Sequence, residues 1–348
     1  MSKLTKSVKI SGVSGIKVLF FKMSESKTIL ISGGAGYVGS ALVSRILRDT
    51  NWKVKVFDDL MYGGNSLFQF FNFDRFSFIK GDLRKFQMES ILNDVDFVVN
   101  LAALVGEPIC KKYPKEAEEI NYEANMKLAK SCESIGISRY LMMSTCSNYG
   151  LRENQEMLTE NDELQPISLY SETKVKSEKK LLNEYDNLPT IVLRASTAYG
   201  MASRIRFDLL LHQFIFEAWV KKQINLFGPN SWRPMIHVDD IARAITLSLI
   251  NNEKIKNKDV FNVGSNDQNF KKIDLAQMVS DRLDVEIVES QTKKDPRDYR
   301  VSFDKIKKEL GFDTIHKPKE SVEQIVTSLE NGLIDENVLH ESVNVKSD

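Results

Sequence analysis

Tyr170 and Lys174 stand four residues apart in Ser168-Leu169-Tyr170-Ser171-Glu172-Thr173-Lys174. On a helix that spacing puts both side chains on one face. An ammonium beside a phenol favours the phenolate and lowers its pKa from about 10 towards the working range. A phenolate can take the proton of an alcohol hydroxyl while hydride leaves the carbon that bears it. Considered alone, the pair is an ordinary solvated helix face. It becomes chemistry only where a hydride acceptor binds nearby.

Such a site is written upstream. Gly33-Gly34-Ala35-Gly36-Tyr37-Val38-Gly39 carries three spaced glycines, Gly33, Gly36 and Gly39, between an apolar run at Thr28 to Ile31 and a helical pattern at Val38 to Arg48. Positions without a side chain allow the tight turn, the close approach of backbone to a pyrophosphate, and close helix–strand packing. Tyr37 and Val38 belong to the same loop, and the helix start offers unpaired N–H groups to phosphates. The next strand-like run ends at Asp58, an acid that accepts from ribose hydroxyls and repels a 2′-phosphate. No arginine comes after Asp58 or Asp59 within a few residues, so NAD is expected rather than NADP. Asp82, with Leu83 beside it, comes after a third run and is a candidate for the adenine edge.

Further strand-like runs occur at Val54 to Phe57, Phe76 to Ile79, Phe97 to Leu101, Tyr140 to Ser144 and Ile191 to Arg194. Helix-like stretches lie between several of them, notably Pro114 to Ile135 and Leu169 to Tyr185. This alternation predicts an α/β fold with a Rossmann-type doubly wound parallel sheet. The expected organisation is an N-terminal extension over 1–26, a dinucleotide domain over 27–200 to which 234–263 returns, and a smaller, mixed, partly interleaved substrate domain over 201–348. His237-Val238-Asp239-Asp240 reads as a strand of the main sheet and then a helix capped at Asp239 or Asp240. No chemistry can be named for the extension.

Composition removes other classes. The chain has 348 residues, 42% apolar and 28% charged, with 48 basic and 48 acidic side chains. That balance builds a sizeable core and gives no global attraction to nucleic acid. Cys110, Cys132 and Cys146 make no disulfide framework and have no metal-type spacing to the histidines, so no metal is expected. A reducing, cytoplasmic setting fits them. No apolar run approaches the roughly 20 residues that a membrane span needs.

Taken together, GGAGYVG, Asp58, Leu101-Ala102-Ala103, Ser144-Thr145-Cys146-Ser147-Asn148-Tyr149-Gly150, YSETK, Gly228 to Asp240 and Asp295 to Arg300 resemble the extended short-chain dehydrogenase/reductase superfamily, in its nucleotide-sugar epimerase/dehydratase branch. The resemblance runs from about Lys27 to about Ile334. It implies NAD as cofactor and a nucleotide-diphosphate sugar as substrate. It casts Thr145 as the hydroxyl that holds the reacting sugar oxygen, Tyr170 as the base and Lys174 as the residue that tunes it and binds the nicotinamide ribose. Leu101, Ala102, Ala103, Asn121 and Ser144 are expected around the cofactor. Val105, Thr197, Arg206, Arg233 and Arg297 are expected on the substrate side, the arginines because planar, multi-donor cations suit a diphosphate.

Family members take hydride from C4 of the sugar and differ in the fate of the resulting 4-keto sugar. Dehydratases of the branch carry an Asp-Glu pair after the threonine; here Cys146 and Ser147 stand there, which disfavours 4,6-dehydration. The expected reaction is 4-epimerisation. The alternatives are a 4-dehydrogenase/4-keto reductase of GDP-heptose or GDP-hexose type, which the Leu101 to Pro108 segment also resembles, and a non-catalytic dinucleotide-binding regulator. Thr197 replaces an asparagine of UDP-galactose-type epimerases and puts that particular sugar nucleotide in doubt. A homodimer is expected through helices Pro114 to Ile135 and Leu169 to Tyr185, unless their apolar faces serve the chain's own core.

Overall fold

The computed structural model describes residues 26–152, 156–290 and 297–344. The expected extension, apart from Ser26, lies outside them. Seven strands form one parallel sheet in the order Lys258–Val263, Thr190–Ala195, Arg139–Thr145, Phe97–Asn100, Thr28–Ser32, Lys53–Asp58, Phe76–Lys80. The chain runs outward from Thr28–Ser32 in one direction, then restarts beside it with Phe97–Asn100 in the other. A crevice opens at the carboxyl ends of strands wherever such a reversal occurs.

The pleat explains why this sheet must be covered twice. Successive side chains of Thr28–Ser32 point to opposite faces. Ile29 and Ile31 join Leu42 and Ile46 of helix Tyr37–Asp49 and Ile241 and Ile245 of helix Val238–Ile250. Leu30 turns the other way, into a cluster with Leu128 and Leu181 from helices Asn125–Ile135 and Leu169–Glu184. All of these side chains are fully or almost fully buried. The apolar faces of the latter two helices are thus used within the chain. Their outward positions are charged, with Lys127, Lys130, Lys176 and Lys179 exposed.

A smaller unit packs helices Leu210–Lys221, Lys272–Leu283 and Pro318–Glu330 around a third core that holds Leu211, Phe214, Leu275, Val279 and Ile325. Strand Trp232–His237 corrects the expectation that it would join the main sheet. It pairs instead with Thr197–Tyr199 on one side and Asn269–Lys271 on the other. Pro234 has no N–H to give a long central ladder, which suits a short three-stranded sheet. The segment returns to the main sheet only at Lys258–Val263. The cap of helix Val238–Ile250 is His237, not an aspartate: its Nδ1 accepts the Asp239 N–H at 3.1 Å.

The helix expected over Pro114 to Ile135 is interrupted. Residues Glu119–Ala124 form a π-helical segment between Pro114–Glu118 and Asn125–Ile135. Such segments re-aim side chains and are frequent beside functional sites. Among the described residues no helix is long and apolar enough to cross a membrane.

Candidate active site

The glycine loop shapes the crevice floor. Gly33 has φ +78°, and a Cβ there would lie 2.7 Å from the Ala102 nitrogen across the sheet reversal. At Gly39 a Cβ would lie 2.2 Å from the Gly33 carbonyl oxygen. Helix Tyr37–Asp49 begins at Gly36 with no side-chain cap and no acid in its first turn. Its first N–H groups and positive dipole end are therefore not capped by a side chain or an acid of the helix itself. These features fit a dinucleotide pyrophosphate, and they are where NAD would be held.

Asp58 closes the second strand as expected. Its carboxylate accepts the Ala35 N–H at 3.0 Å and the Leu60 N–H at 2.8 Å. Burial pushes this carboxyl above its ordinary value, against the pull of those two donors. Asp82 also lines the crevice, but its carboxylate is already gripped by Arg84, whose Nη2 lies 2.7 Å away. That hydrogen bond lowers its pKa and keeps the group an ionised acceptor on the crevice lining.

Opposite the loop, strand Arg139–Thr145 delivers Ser144 and Thr145, and helix Leu169–Glu184 delivers Tyr170 and Lys174. Ser168 caps that helix in a box with Ser171, which fixes where its first turn starts and hence where Tyr170 points. Lys174 Nζ donates to the Met143 carbonyl at 2.9 Å and lies 5.9 Å from the centroid of the Tyr170 ring. Burial brings the Lys174 ammonium down to about 8. Thr145 Oγ1 accepts the Ser147 N–H at 3.1 Å and lies 2.9 Å from Ser147 Oγ.

The expected priming of Tyr170 is corrected. Burial pushes its phenol up from the ordinary value, and the Arg206 charge pulls it down by less. Desolvation outweighs the cation because the phenolate would be the more heavily penalised form in this apolar wall of Leu104, Ile109 and Cys110.

Behind the wall stands a buried polar network. Glu178, two turns beyond Tyr170, accepts from Arg194 Nε at 3.0 Å and Nη2 at 2.8 Å. It also accepts Asn148 Nδ2 at 2.8 Å and the Ser144 hydroxyl. Arg194 continues the network to the Tyr149 hydroxyl at 3.0 Å. This network locks helix Leu169–Glu184 to the two strand ends that carry Ser144 and Ala195.

On the substrate side, Val105, Thr197, Arg206, Arg233 and Arg297 all line the same crevice, which has a cavity volume of about 330 Å³. Arg206 is buried and paired with Asp208 through Nε at 3.0 Å and Nη2 at 2.7 Å. Arg233 Nη1 donates to the Trp232 carbonyl at 2.7 Å and to the Arg297 carbonyl, which ties the two expected diphosphate ligands to each other.

The crevice also collects Gly33, Gly36, Tyr37, Val38, Gly39, Leu83, Leu101, Ala102, Ala103 and Ser144. Asn121 is the exception among the expected residues. It is buried behind the wall, where Oδ1 accepts the Leu104 N–H at 2.8 Å and Nδ2 donates to the Leu104 carbonyl at 3.0 Å. The π-helical segment aims it at the loop after the fourth strand rather than into the crevice.

Sequence reasoning missed Tyr62, Ser147 and Asn344, which line the crevice. Ser147 was detectable from its place beside Thr145. Tyr62 and Asn344 carry no local signal, because Arg204, which stacks 4.1 Å over the Tyr62 ring and donates to Asn344 Oδ1 at 2.7 Å, is remote from both in the chain.

The model of the NAD dependent epimerase/dehydratase family matches residues 29–264. The uncharacterized UDP-glucose epimerase YtcB of Bacillus subtilis is 30% identical over 233 residues, covering 64% of this chain and 72% of that relative. The dTDP-glucose 4,6-dehydratase of Escherichia coli is 27% identical over 333 residues, covering 85% of this chain and 89% of its own length. The fold matches that of UDP-glucuronic acid 4-epimerase from Bacillus cereus, solved with UDP-glucuronic acid and NAD. The TM-score is 0.78 at 23% identity, over 87% of this chain and 99% of that one. The glycine loop, the acid at 58 and the Thr145, Tyr170 and Lys174 group all fall within the matched stretch, and the chain belongs to the NAD-dependent epimerase/dehydratase family of enzymes.

Proposed function

We propose that the chain is a nucleotide-sugar 4-epimerase that oxidises C4 transiently and returns the hydride to the other face of the ring. The observation that carries this reading is a convergence. Thr145, Tyr170 and Lys174 share one crevice with the glycine loop on one side and Arg206, Arg233 and Arg297 on the other. NAD, when bound, supplies the hydride acceptor. Tyr170 Oη takes the C4 hydroxyl proton, Thr145 Oγ1 holds the same oxygen, and Lys174 holds positive charge beside them. Arg233 and Arg297 bind the diphosphate.

The two residues after Thr145 argue against dehydration. Removing water across C5–C6 calls for an acid and a base. Cys146 Sγ turns away to the Arg194 carbonyl at 3.1 Å, and burial pushes its thiol up to about 12. Ser147 does face the crevice, but its hydroxyl stays protonated at neutral pH and replaces neither a carboxylic acid nor a carboxylate base. The same reading places the enzyme in the cytoplasm as a homodimer. A dimer on helices Asn125–Ile135 and Leu169–Glu184 would meet through charged outer faces, and light scattering tests that.

The deciding experiment incubates the enzyme with UDP-, GDP-, CDP- and dTDP-sugars and monitors nicotinamide absorbance together with product stereochemistry. A C4 epimer with no net reduction is the expected result. Stable accumulation of reduced nicotinamide would replace the epimerase reading with a 4-dehydrogenase. A 4-keto-6-deoxy product would replace it with a dehydratase.

A further inference from the structure

The proposed chemistry does not use the buried imidazole of His212. His212, on helix Leu210–Lys221, is fully buried. Its Nδ1 faces the Arg206 carbonyl oxygen at 2.6 Å, and its Nε2 accepts the Gly200 N–H at 2.9 Å. A carbonyl oxygen can only accept and a main-chain N–H can only donate, so the proton sits on Nδ1 and the lone pair on Nε2. Both nitrogens are committed to main chain.

Each partner is engaged further. The Gly200 carbonyl accepts the Tyr37 hydroxyl at 2.6 Å. Tyr37 is the first residue of the helix that begins at the glycine loop. Gly200 has φ +100° and packs closely on the His237 ring, where a Cβ would lie 2.1 Å from Nε2 and leave no room for a side chain. At the other end, Arg206 holds Asp208 and reaches the Val105 carbonyl at 3.5 Å with Nη2. A run of main-chain and side-chain bonds, Tyr37 to Gly200 to His212 to Arg206, thus joins the cofactor half of the crevice to its substrate half.

We propose that His212 is a positioning residue that ties the placement of Arg206 to that of Tyr37, so that dinucleotide and nucleoside diphosphate bind cooperatively. The inference rests on the nucleotide-sugar reading. An anion seated on the uncapped helix start orders Tyr37, and the imidazole, unable to turn without orphaning two buried main-chain groups, passes that order to the Arg206 backbone. Substrate then meets a guanidinium already in place. By linkage the effect is reciprocal, so bound diphosphate tightens the dinucleotide by the same factor.

The test measures binding of UDP, GDP, CDP and dTDP to the full chain by calorimetry, with and without saturating NAD. The proteins are wild type, Tyr37→Phe, His212→Asn and the double variant. In wild type NAD is expected to tighten the preferred diphosphate by about fivefold or more. Either single substitution is expected to bring that ratio close to one, and the double variant to lose nothing further, because both cut the same run. A variant that loses melting temperature but keeps the wild-type ratio would show a purely structural imidazole and overturn the proposal. Additive losses in the double variant, or no tightening in wild type, would overturn it too. Tyr37→Phe removes one oxygen and almost no volume, so it carries the test alone should His212→Asn fail to fold. If wild type binds none of the four diphosphates, the nucleotide-sugar reading itself falls, and this proposal with it.

Discussion

Lys174 Nζ is bonded to the Met143 carbonyl at 2.9 Å and sits 5.9 Å from the centroid of the Tyr170 ring, one helical turn away. The ammonium is thereby pinned to the end of the strand that also carries Thr145. The three groups keep a fixed relation because one strand end and one helix face hold all of them.

Tyr170→Phe deletes the proposed base and little else, since the ring stays packed on Leu104, Ile109 and Cys110. Turnover is expected to fall by about 10² to 10⁴-fold. Affinity for NAD and the melting temperature should stay near wild type. Steady-state kinetics beside calorimetric NAD binding check this, and a silent regulator would instead keep its function.

Lys174 is brought down to about 8 by burial, so it is cationic at neutral pH and loses its charge just above. Activity is expected to fall as pH rises through about 8. Stability has the opposite sign: the unfolded lysine, with its ordinary value of 10.5, binds the proton that the folded one has released. Folding free energy from this group therefore rises between about 8 and 10.5. Activity and denaturant midpoints, both measured against pH, should diverge in that window.

Glu178→Gln leaves the Arg194 guanidinium buried without its counter-charge. The expected loss of stability is about 3–5 kcal/mol. Replacing both partners by apolar residues, Glu178→Leu with Arg194→Met, should recover a large part of it while still loosening Ser144. Urea unfolding of wild type and both variants gives the comparison.

His212 is held down to about 4 by burial, with the Arg206 charge adding to the effect against its backbone hydrogen bond. The unfolded imidazole takes a proton near its ordinary 6.5, so stability is lost as pH falls from there towards about 4. The loss from this one group is roughly 3 kcal/mol. Wild type should show it in denaturant midpoints over that range, and His212→Asn should show a flatter dependence.

Gly39→Ala puts a methyl 2.2 Å from the Gly33 carbonyl oxygen and 2.6 Å from the Gly34 Cα, both main-chain atoms that cannot swing aside. The loop must open, and affinity for NAD is expected to drop by about tenfold or more. Calorimetric titration of NAD measures it directly.

Much of the fold was legible because its signals are local. Apolar runs with Gly33, Gly36 and Gly39 between the first two elements dictate strand, turn and helix over a stretch of some twenty residues, and sterics alone enforce them. Asp58, Thr145, Tyr170 and Lys174 are tied to strand ends and a helix face in the same way. Those positions need no knowledge of what lies across the crevice.

The rest depends on residues far apart in the chain, whose meeting no spacing encodes. Asn121 looks like a ligand of the cofactor until a π-helical segment turns it onto Leu104. Trp232–His237 looks like a strand of the main sheet until Pro234 and its two short partners place it elsewhere. Above all, types and spacing named the acids and bases, but only packing decided their charge. Tyr170 is raised and Lys174 lowered because the folded chain removes water from both. Desolvation is a property of the whole enclosure, and a sequence does not display it.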